Sequence, residues 1–327
     1  MHEVMNAMTL KPRFIITGSA IGLLIALTLA LSFVLAEKPT MQANQQPKEW
    51  DIYPVPADPG KGYTWQLLPL SDDFNYTAEA TDKGPEFTAK WKDTYHNSWQ
   101  GPGLTQWRRD HSWVKNGHLV IAASRKPGTR KVYAGIITSR ERVIYPLYVE
   151  TRARLSNLVL SSGVWMLSPD DTQEIDIVEA YGSDRPDQKW YAERIHLSHH
   201  VFIRAPFQDY QPKDPGSWYY NGTVWREEFH RYGVYWQDPW HLEYYIDGQL
   251  VRTVSGQDII DPYNFTKGTG LNKAMDVIID AEDQDWRSDE GLTPTDEELA
   301  DDSKRFFYID WIRFYKPVPQ DSSDITP

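Results

Sequence analysis

Apolar and polar side chains alternate with a period of two through most of residues 63–316, while the 3.6-residue period of an amphipathic helix is nearly absent. The runs Tyr232-Gly233-Val234-Tyr235-Trp236 and His241-Leu242-Glu243-Tyr244-Tyr245-Ile246 flank turn signals and predict strands. Asp247-Gly248 precedes Gln249-Leu250-Val251-Arg252, which is the dipeptide signature of a two-residue hairpin. Residues 143–155 and 306–315 predict strands on the same pattern. One short surface helix is predicted after Thr295, where Thr295 and Glu298 make a capping box and Asp296 and Glu297 suit the first turn. Many short strands with so little helix predict an all-β fold, a β-jelly-roll sandwich of two antiparallel sheets.

The ends of the chain depart from this pattern. Lys11 and Arg13 precede an uninterrupted apolar stretch over residues 14–34, and Val34-Leu35-Ala36 stands before Glu37 as a small-residue cleavage site. Residues 1–36 are therefore read as a signal peptide; the stretch is also long enough, at ~20 residues, for an uncleaved membrane anchor. Either reading exports the rest of the chain, to the cell exterior. Residues 37–60 carry Pro39, Pro47, Pro54, Pro56 and Pro59 without apolar periodicity and predict a linker or extended arm. Residues 61–317 show no comparable break and no internal repeat, so they are read as one domain, with residues 318–327 as a tail.

Composition narrows the chemistry. Fourteen Trp and nineteen Tyr among 327 residues exceed what one core requires, and flat apolar rings with a polar tip suit stacking on sugars; about half of the Trp are expected to serve packing. A net charge of -12 argues against nucleic acid, whose binding needs Lys and Arg on phosphates, and against a heavily sulfated polymer. Cysteine is absent, which leaves neither disulfide nor thiol nucleophile.

The sharpest feature is Glu174-Ile175-Asp176-Ile177-Val178-Glu179. In a strand, Glu174 and Asp176 share one face while Ile175 and Ile177 enter the core. Glu179 would face the core in a regular strand, where an unpaired carboxylate is costly. A β-bulge near Ile177-Val178 adds one residue and returns Glu179 to the acidic face. Crowded carboxyls oppose one another's ionisation, so at least one holds a proton near neutral pH. Retaining glycoside hydrolysis uses such a pair, an ionised nucleophile and a protonated acid/base ~5–5.5 Å apart. A solvated strand face or a calcium site is the competing reading of the same pattern.

This stretch matches, in its bulged form, the signature of glycoside hydrolase family 16, and the sequence around it resembles the β-agarases of that family. The resemblance is carried by His96-Asn97-Ser98-Trp99-Gln100-Gly101-Pro102-Gly103, Gly163-Val164-Trp165-Met166-Leu167-Ser168, the stretch 195–204 and Glu282-Asp283-Gln284-Asp285-Trp286-Arg287. It implies a jelly roll with an open substrate cleft and an endo-acting, retaining hydrolase of the β-1,4 linkages of agarose. On these positions it implies Glu174 as nucleophile, Glu179 as acid/base and Asp176 as the residue that tunes them, with no cofactor for catalysis. Within 195–204, Ile195, Leu197, Val201 and Ile203 share a core face, and His196, Ser198, His200, Phe202 and Arg204 a polar face suited to a sugar groove. His200 and Arg204 resemble residues that hydrogen-bond agarose beside the cleavage point. Trp99 and Trp165 resemble its stacking platforms, and Glu282 would accept sugar hydroxyls at a further subsite. A porphyranase or another red-algal galactan hydrolase is the rival within the family, and a non-catalytic, lectin-like jelly roll the rival outside it. Sulfated polymers call for Arg or Lys clusters in the groove, so the acidic balance favours agarose.

The same resemblance implies a structural calcium away from the cleft, with Asp310 of Tyr308-Ile309-Asp310-Trp311 as side-chain ligand and backbone carbonyls near Asp73 and Gly117 as companions. Zinc is not expected: alternation sends His199 away from His196 and His200, and no cysteine completes a site. The partner is a polysaccharide, with no nucleic acid or protein partner implied, and the protein is expected to act as a monomer.

Overall fold

The period-two alternation resolves into two stacked sheets in the computed structural model, which describes residues 48–320. The ten-stranded outer sheet runs in the order β17 (Gln249–Ser255), β16 (His241–Ile246), β15 (His230–Asp238), β8 (Leu147–Arg154), β19 (Phe306–Pro319), β5 (His118–Arg125), β6 (Val132–Ala134), β3 (Thr105–Trp107). Two more strands join it: β1 (Tyr63–Leu67) on β19 and β4 (Ser112–Lys115) on β5. The nine-stranded cleft sheet runs β13 (Phe207–Tyr210), β12 (His199–Arg204), β10 (Gln173–Tyr181), β9 (Ser161–Leu167), β18 (Asp276–Glu282), β7 (Ile136–Ser139), β2 (Trp91–Lys92). Here β11 (Arg194–His196) joins the far half of β10, and β14 (Trp218–Tyr220) joins β11. Strand numbers follow the chain, so more than half of the sheet neighbours are reached by a crossover rather than a hairpin, as in a jelly roll.

The core lies between the sheets. Val164, Met166, Ile175 and Ile177 of the cleft sheet meet Val149, Val234, Ile312 and Phe314 of the outer one, all essentially without solvent contact. The expected strands are present, as β8 within 143–155 and as β19 over 306–315 and beyond. At the predicted hairpin, Asp247 and Gly248 take φ of 51° and 82°, the left-handed pair that a two-residue turn between twisted strands requires. The capping box also forms: Glu298 N donates to Thr295 Oγ1 at 3.2 Å and Thr295 N to Glu298 Oε2 at 2.8 Å, opening the helix Asp296–Ala300. Further one- or two-turn helices occur at Gly84–Lys90, Lys189–Ala192, Gln257–Ile260 and Asp285–Ser288, too short for periodicity to reveal.

Two boundaries need correction. The expected signal peptide or anchor, and residues 37–47 of the expected linker, lie outside the described residues. The described part of that linker is not an arm. Residues Glu49–Ile52 form a 3-10 turn, Trp50 is buried edge-on against Trp311 at 6.3 Å, and Trp65 Nε1 donates to the Ala57 carbonyl at 2.9 Å. Its anchor is Arg313 on β19, buried, which donates to the carbonyls of Trp50 (3.0 Å) and Tyr53 (2.6 Å) while its Nε donates to Glu150 Oε2 at 2.8 Å. A guanidinium more than 250 positions away satisfies these carbonyls, which no local pattern reports. At the other end β19 continues to Pro319, which pairs with Tyr63 of β1, so the first residues of the expected tail belong to the sheet.

Glu150 is fully buried, and its charge is balanced by Arg313 and by Arg231 Nη1 at 3.5 Å. Arg313→Met removes the closer partner and the staple of residues 50–54 together. The variant is expected to lose ~3–5 kcal/mol of stability, the usual cost of breaking a buried pair, read as a lower urea midpoint; an unchanged midpoint would show that the staple carries no stability.

Candidate active site

The expected bulge is present. On β10, Asp176 pairs with Trp165 of β9 but Val178 pairs with Val164, leaving Ile177 as the extra residue. Ile175, Ile177 and Val178 are all buried, and Glu174, Asp176 and Glu179 all line one open cleft of about 650 Å³. Glu179 sits between Gly163 of β9 and His196 of β11, and Glu174 lies opposite His200 of β12.

Each carboxyl has its own electrostatic setting. Burial pushes Glu174 up to about 7, although the His200 imidazolium, with Nε2 at 3.9 Å, pulls the other way. Burial likewise raises Asp176, whose Oδ2 has no hydrogen-bond partner and lies 3.7 Å from His200 Nε2. Burial would raise Glu179 too, but His196 outweighs it: its Nδ1 bonds Glu179 Oε2, Tyr181 OH donates to Oε1 at 2.7 Å, and the pKa falls to about 2. His196 is held in turn by stacking on Trp218, with ring centroids 4.3 Å apart. For His200 burial opposes the charged form, yet Glu174 and a bond from Nδ1 to Asp209 Oδ1 at 2.9 Å push it up to about 10. In the protein alone, burial thus favours the protonated forms of Glu174 and Asp176, while the grip of His196 and Tyr181 at both oxygens favours the ionised form of Glu179.

The remaining expected residues fall around these acids. Trp165 lines the cleft and its Nε1 donates to Asp280 Oδ1 at 3.2 Å. Glu282 lines the same wall. Trp99 stands in an exposed rim loop, packed edge-on against Tyr95 at 5.4 Å, and Tyr95 faces Trp165 at 6.3 Å. That loop is fastened by His96, whose Nε2 lies 2.6 Å from Asp171 and whose Nδ1 lies 3.3 Å from Asp276. Arg204 is also at the rim: its guanidinium lies 4.3 Å over the Phe202 ring and does not reach the acids. Ile203 is only half-buried, and His199 points into the core, where Nε2 bonds the Ile260 carbonyl at 3.0 Å and burial drives the pKa down to about 3.

The positions expected for calcium come together on the outer sheet, away from the cleft: His118, next to Gly117, reaches towards Asp310, and Gly117 stands beside Asn75. Asp310 is paired with Arg152, with His118 Nε2 a further 3.9 Å away, and Asp73 is paired with Lys48. These pairs engage the two carboxylates, whereas the ligands expected at Asp73 and Gly117 are backbone carbonyls. Asn116 and Gly117, at φ of 56° and 77°, turn the hairpin between β4 and β5. Glu174, Asp176 and His200 present three ligand atoms within 4.8 Å of one another. His200 is an imidazolium, though, and a protonated ring has no lone pair to offer a metal.

Sequence reasoning placed His196 on the cleft face without a role and missed Tyr181, Trp218 and Asp280. Asp280 had a usable signal, since Asp280-Ala281-Glu282 alternates in the manner of Glu174-Ile175-Asp176. It is fully buried beneath Trp165, and burial pushes it up to about 8. Gly163 makes room for it, since a Cβ there would stand 2.7 Å from Asp280 Oδ1. Glu282, two residues on, is raised by burial and by Asp280, so each of these carboxyls opposes the ionisation of the other.

Residues 65–317 match the family model described as "Beta-porphyranase A-D, GH16 domain". Beta-agarase AgaA of Microbulbifer thermotolerans is 64% identical over 273 residues, covering 83% of this chain and 63% of that protein, so the chain spans just under two thirds of that relative. Beta-agarase B of Zobellia galactanivorans is 56% identical over 293 residues, 83% of each chain. The crystal structure of its inactivated mutant in complex with agaro-octaose superposes with a TM-score of 0.82 at 55% identity, covering 83% of this chain and all of that one. Beta-porphyranase E of the same organism is 29% identical over 280 residues, 80% of this chain and 91% of that protein.

The buried Asp280 sets a pH dependence. The folded protein holds this proton more tightly than the unfolded chain, where the ordinary carboxyl value is 3.8, so its contribution to stability is complete below pH 3.8 and is lost as the pH rises to about 8. Asp280→Asn keeps an acceptor for Trp165 and cannot ionise. Its melting temperature relative to the unmodified protein is expected to rise between pH 4 and pH 8; two parallel melting curves would show that Asp280 is not a buried neutral acid.

Proposed function

The chain belongs to glycoside hydrolase family 16, and from that premise we propose that it is an endo-acting β-agarase that hydrolyses the β-1,4 linkages of agarose with retention. The observation that carries the reading is the bulged β10 strand, which sets Glu174, Asp176 and Glu179 side by side on the floor of an open cleft. In this reading Glu174 is the nucleophile, Glu179 the acid/base and Asp176 the residue through which protons are shared between them.

The roles require a proton to move when sugar enters. Positive charge developing at the anomeric carbon favours the ionised form of Glu174. The proton released passes to Glu179, with Asp176 between the two able to donate to either. Glu179 then protonates the departing glycosidic oxygen as Glu174 bonds the anomeric carbon. The resulting ester is neutral, which removes one charge from the cluster. Glu179, again an ionised acceptor gripped by His196 and Tyr181, takes a proton from the attacking water. The grip that makes Glu179 a weak acid in the protein alone makes it a well-oriented base in this second step.

Selection of agarose over a sulfated galactan is supported by the lining. Among the described residues that line the cleft, Lys213 is the one Lys or Arg, and the rest of its polar surface is carboxylate, amide, hydroxyl and imidazole. Neutral sugar units meet hydrogen-bond partners and the indoles of Trp165, Trp218 and Trp286 there, whereas sulfates would find one lysine to pair with. An apolar stretch at residues 14–34 is consistent with export to a polymer too large to enter a cell, and the cleft is built from one chain, as a monomer requires.

Agarose and porphyran are the substrates that test the proposal. Reducing ends are expected from agarose, with little from porphyran, and the first product followed by proton NMR keeps the β configuration. Glu174→Gln and Glu179→Gln are each expected to lower kcat by about a thousandfold or more while agaro-oligosaccharides still bind. Inverted product, or a glutamine variant with most of its turnover, would overturn the assignment.

A further inference from the structure

The exposed aromatic side chains Phe207 and Trp286 belong to the cleft wall, and Trp99 to its rim loop. Trp190 and Tyr220, at 46% and 52% exposure, belong to neither. Between them lies Arg194, whose guanidinium is 4.3 Å over the Trp190 ring and 4.4 Å over the Tyr220 ring. Its Nη1 donates to the Trp190 carbonyl at 3.0 Å, which fixes the fork against the indole. Two rings with a guanidinium packed between them thus form one exposed shelf.

The strand register joins this shelf to the cleft. Glu179 pairs with His196 of β11, and His196 with Trp218 of β14, so these three side chains form one row across the cleft face. Arg194 is two residues from His196 and Tyr220 two from Trp218, and they pair with each other. Arg194 and Tyr220 therefore form the adjoining row on that same face. Trp190, from the short helix Lys189–Ala192, closes against Trp218 at 5.2 Å, and Trp218 lines the cleft. Surface chemistry is continuous from the His196 grip on Glu179, over Trp218, to Trp190, Arg194 and Tyr220 at the free edge of β14.

Nothing in the fold demands this arrangement. The three side chains spend apolar area on solvent instead of on the core, and a guanidinium held between two rings has little freedom left to lose on binding. Aromatic faces stack on the apolar faces of galactose rings, and the guanidinium edges donate to hydroxyl and ring oxygens. Resting on the reading of this cleft as an agarase site, we propose that Trp190, Arg194 and Tyr220 form an outer galactan-binding shelf, which holds the neutral polymer where it leaves the cleft beside Glu179. By register the shelf lies one row, ~7 Å, past the His196–Trp218 row, so it adds grip where a chain runs on past Trp218 and holds a long chain more than a short one.

Length dependence tests it. Steady-state kinetics on soluble low-melting agarose and on neoagarohexaose are compared for the full chain and for Trp190→Ala, Tyr220→Ala and Arg194→Ala. Each variant is expected to lower the ratio of kcat/KM on agarose to that on the hexaose by about fivefold, as expected for losing one stacking or cation–π contact. The loss on agarose is expected to appear in KM. A ratio that stays constant, either because neither rate changes or because both fall together, overturns the shelf. A starting protein that releases nothing from agarose overturns the agarase reading and the shelf with it. Trp190 and Tyr220 are exposed, so their substitution leaves the core intact and the test does not depend on Arg194→Ala alone.

Discussion

Five carboxyl groups crowd one desolvated surface, and the architecture of the cleft is the means by which that surface is tolerated. Glu174, Asp176 and Glu179 come from β10, and Asp280 and Glu282 from β18 across the intervening β9. Five ionised groups packed this closely would repel one another strongly in a medium less polar than water. The protein answers in three ways. Asp176, Asp280 and Glu174 hold protons, since burial raises each of them. His200 faces Glu174 with its pKa pushed up by the acids around it, and His196 and Tyr181 hold Glu179 at its two oxygens. Gly163 leaves the space that lets Asp280 and Trp165 meet beneath the floor. Each device also prepares chemistry, because a group that holds a proton only through its neighbours gives it up when a sugar changes them.

The remainder of the sandwich keeps this surface rigid. Trp91, Trp225, Trp236 and Trp311 are fully buried and Trp50 nearly so, which accounts for a large part of the unusual tryptophan content as packing. Trp165, Trp218 and Trp286 face the cleft, and Trp99 and Trp190 stand at its rims. The aromatic excess is therefore divided between the two tasks. On the outer sheet, the buried pairing of Arg313 with Glu150 binds the entering chain to the last strand. That ties residues 49–57 into the domain and closes one end of the sandwich without a disulfide.

Discrimination between galactans follows from the same economy of charge. A floor that keeps its acids partly neutral has no need of a ring of arginines, and the cleft has none. Arg204 lies over Phe202 at one rim and Arg194 between Trp190 and Tyr220 at the other. In both places the guanidinium is spread flat on an aromatic face, an arrangement suited to uncharged rings with hydroxyl edges.

The sequence alone determined the fold class, because two-residue alternation is a local property and only a sandwich buries so many short strands. It also determined the three acids: the spacing of Glu174, Asp176 and Glu179 is chemically sensible only with a bulge, and a bulge is local. The turn at Asp247-Gly248 and the cap at Thr295 were legible for the same reason. The tertiary structure decided everything that depends on distant partners. It gave the Asp310 and Asp73 carboxylates Arg152 and Lys48 as neighbours, and Arg313 to a stretch that looked like a linker. It gave His196 to Glu179, sent Arg204 to the rim, and set Asp280 under Trp165. Alternation states which face a side chain occupies, but its protonation and its partner depend on burial and on charges brought from other strands, and these exist only once the sheets have closed.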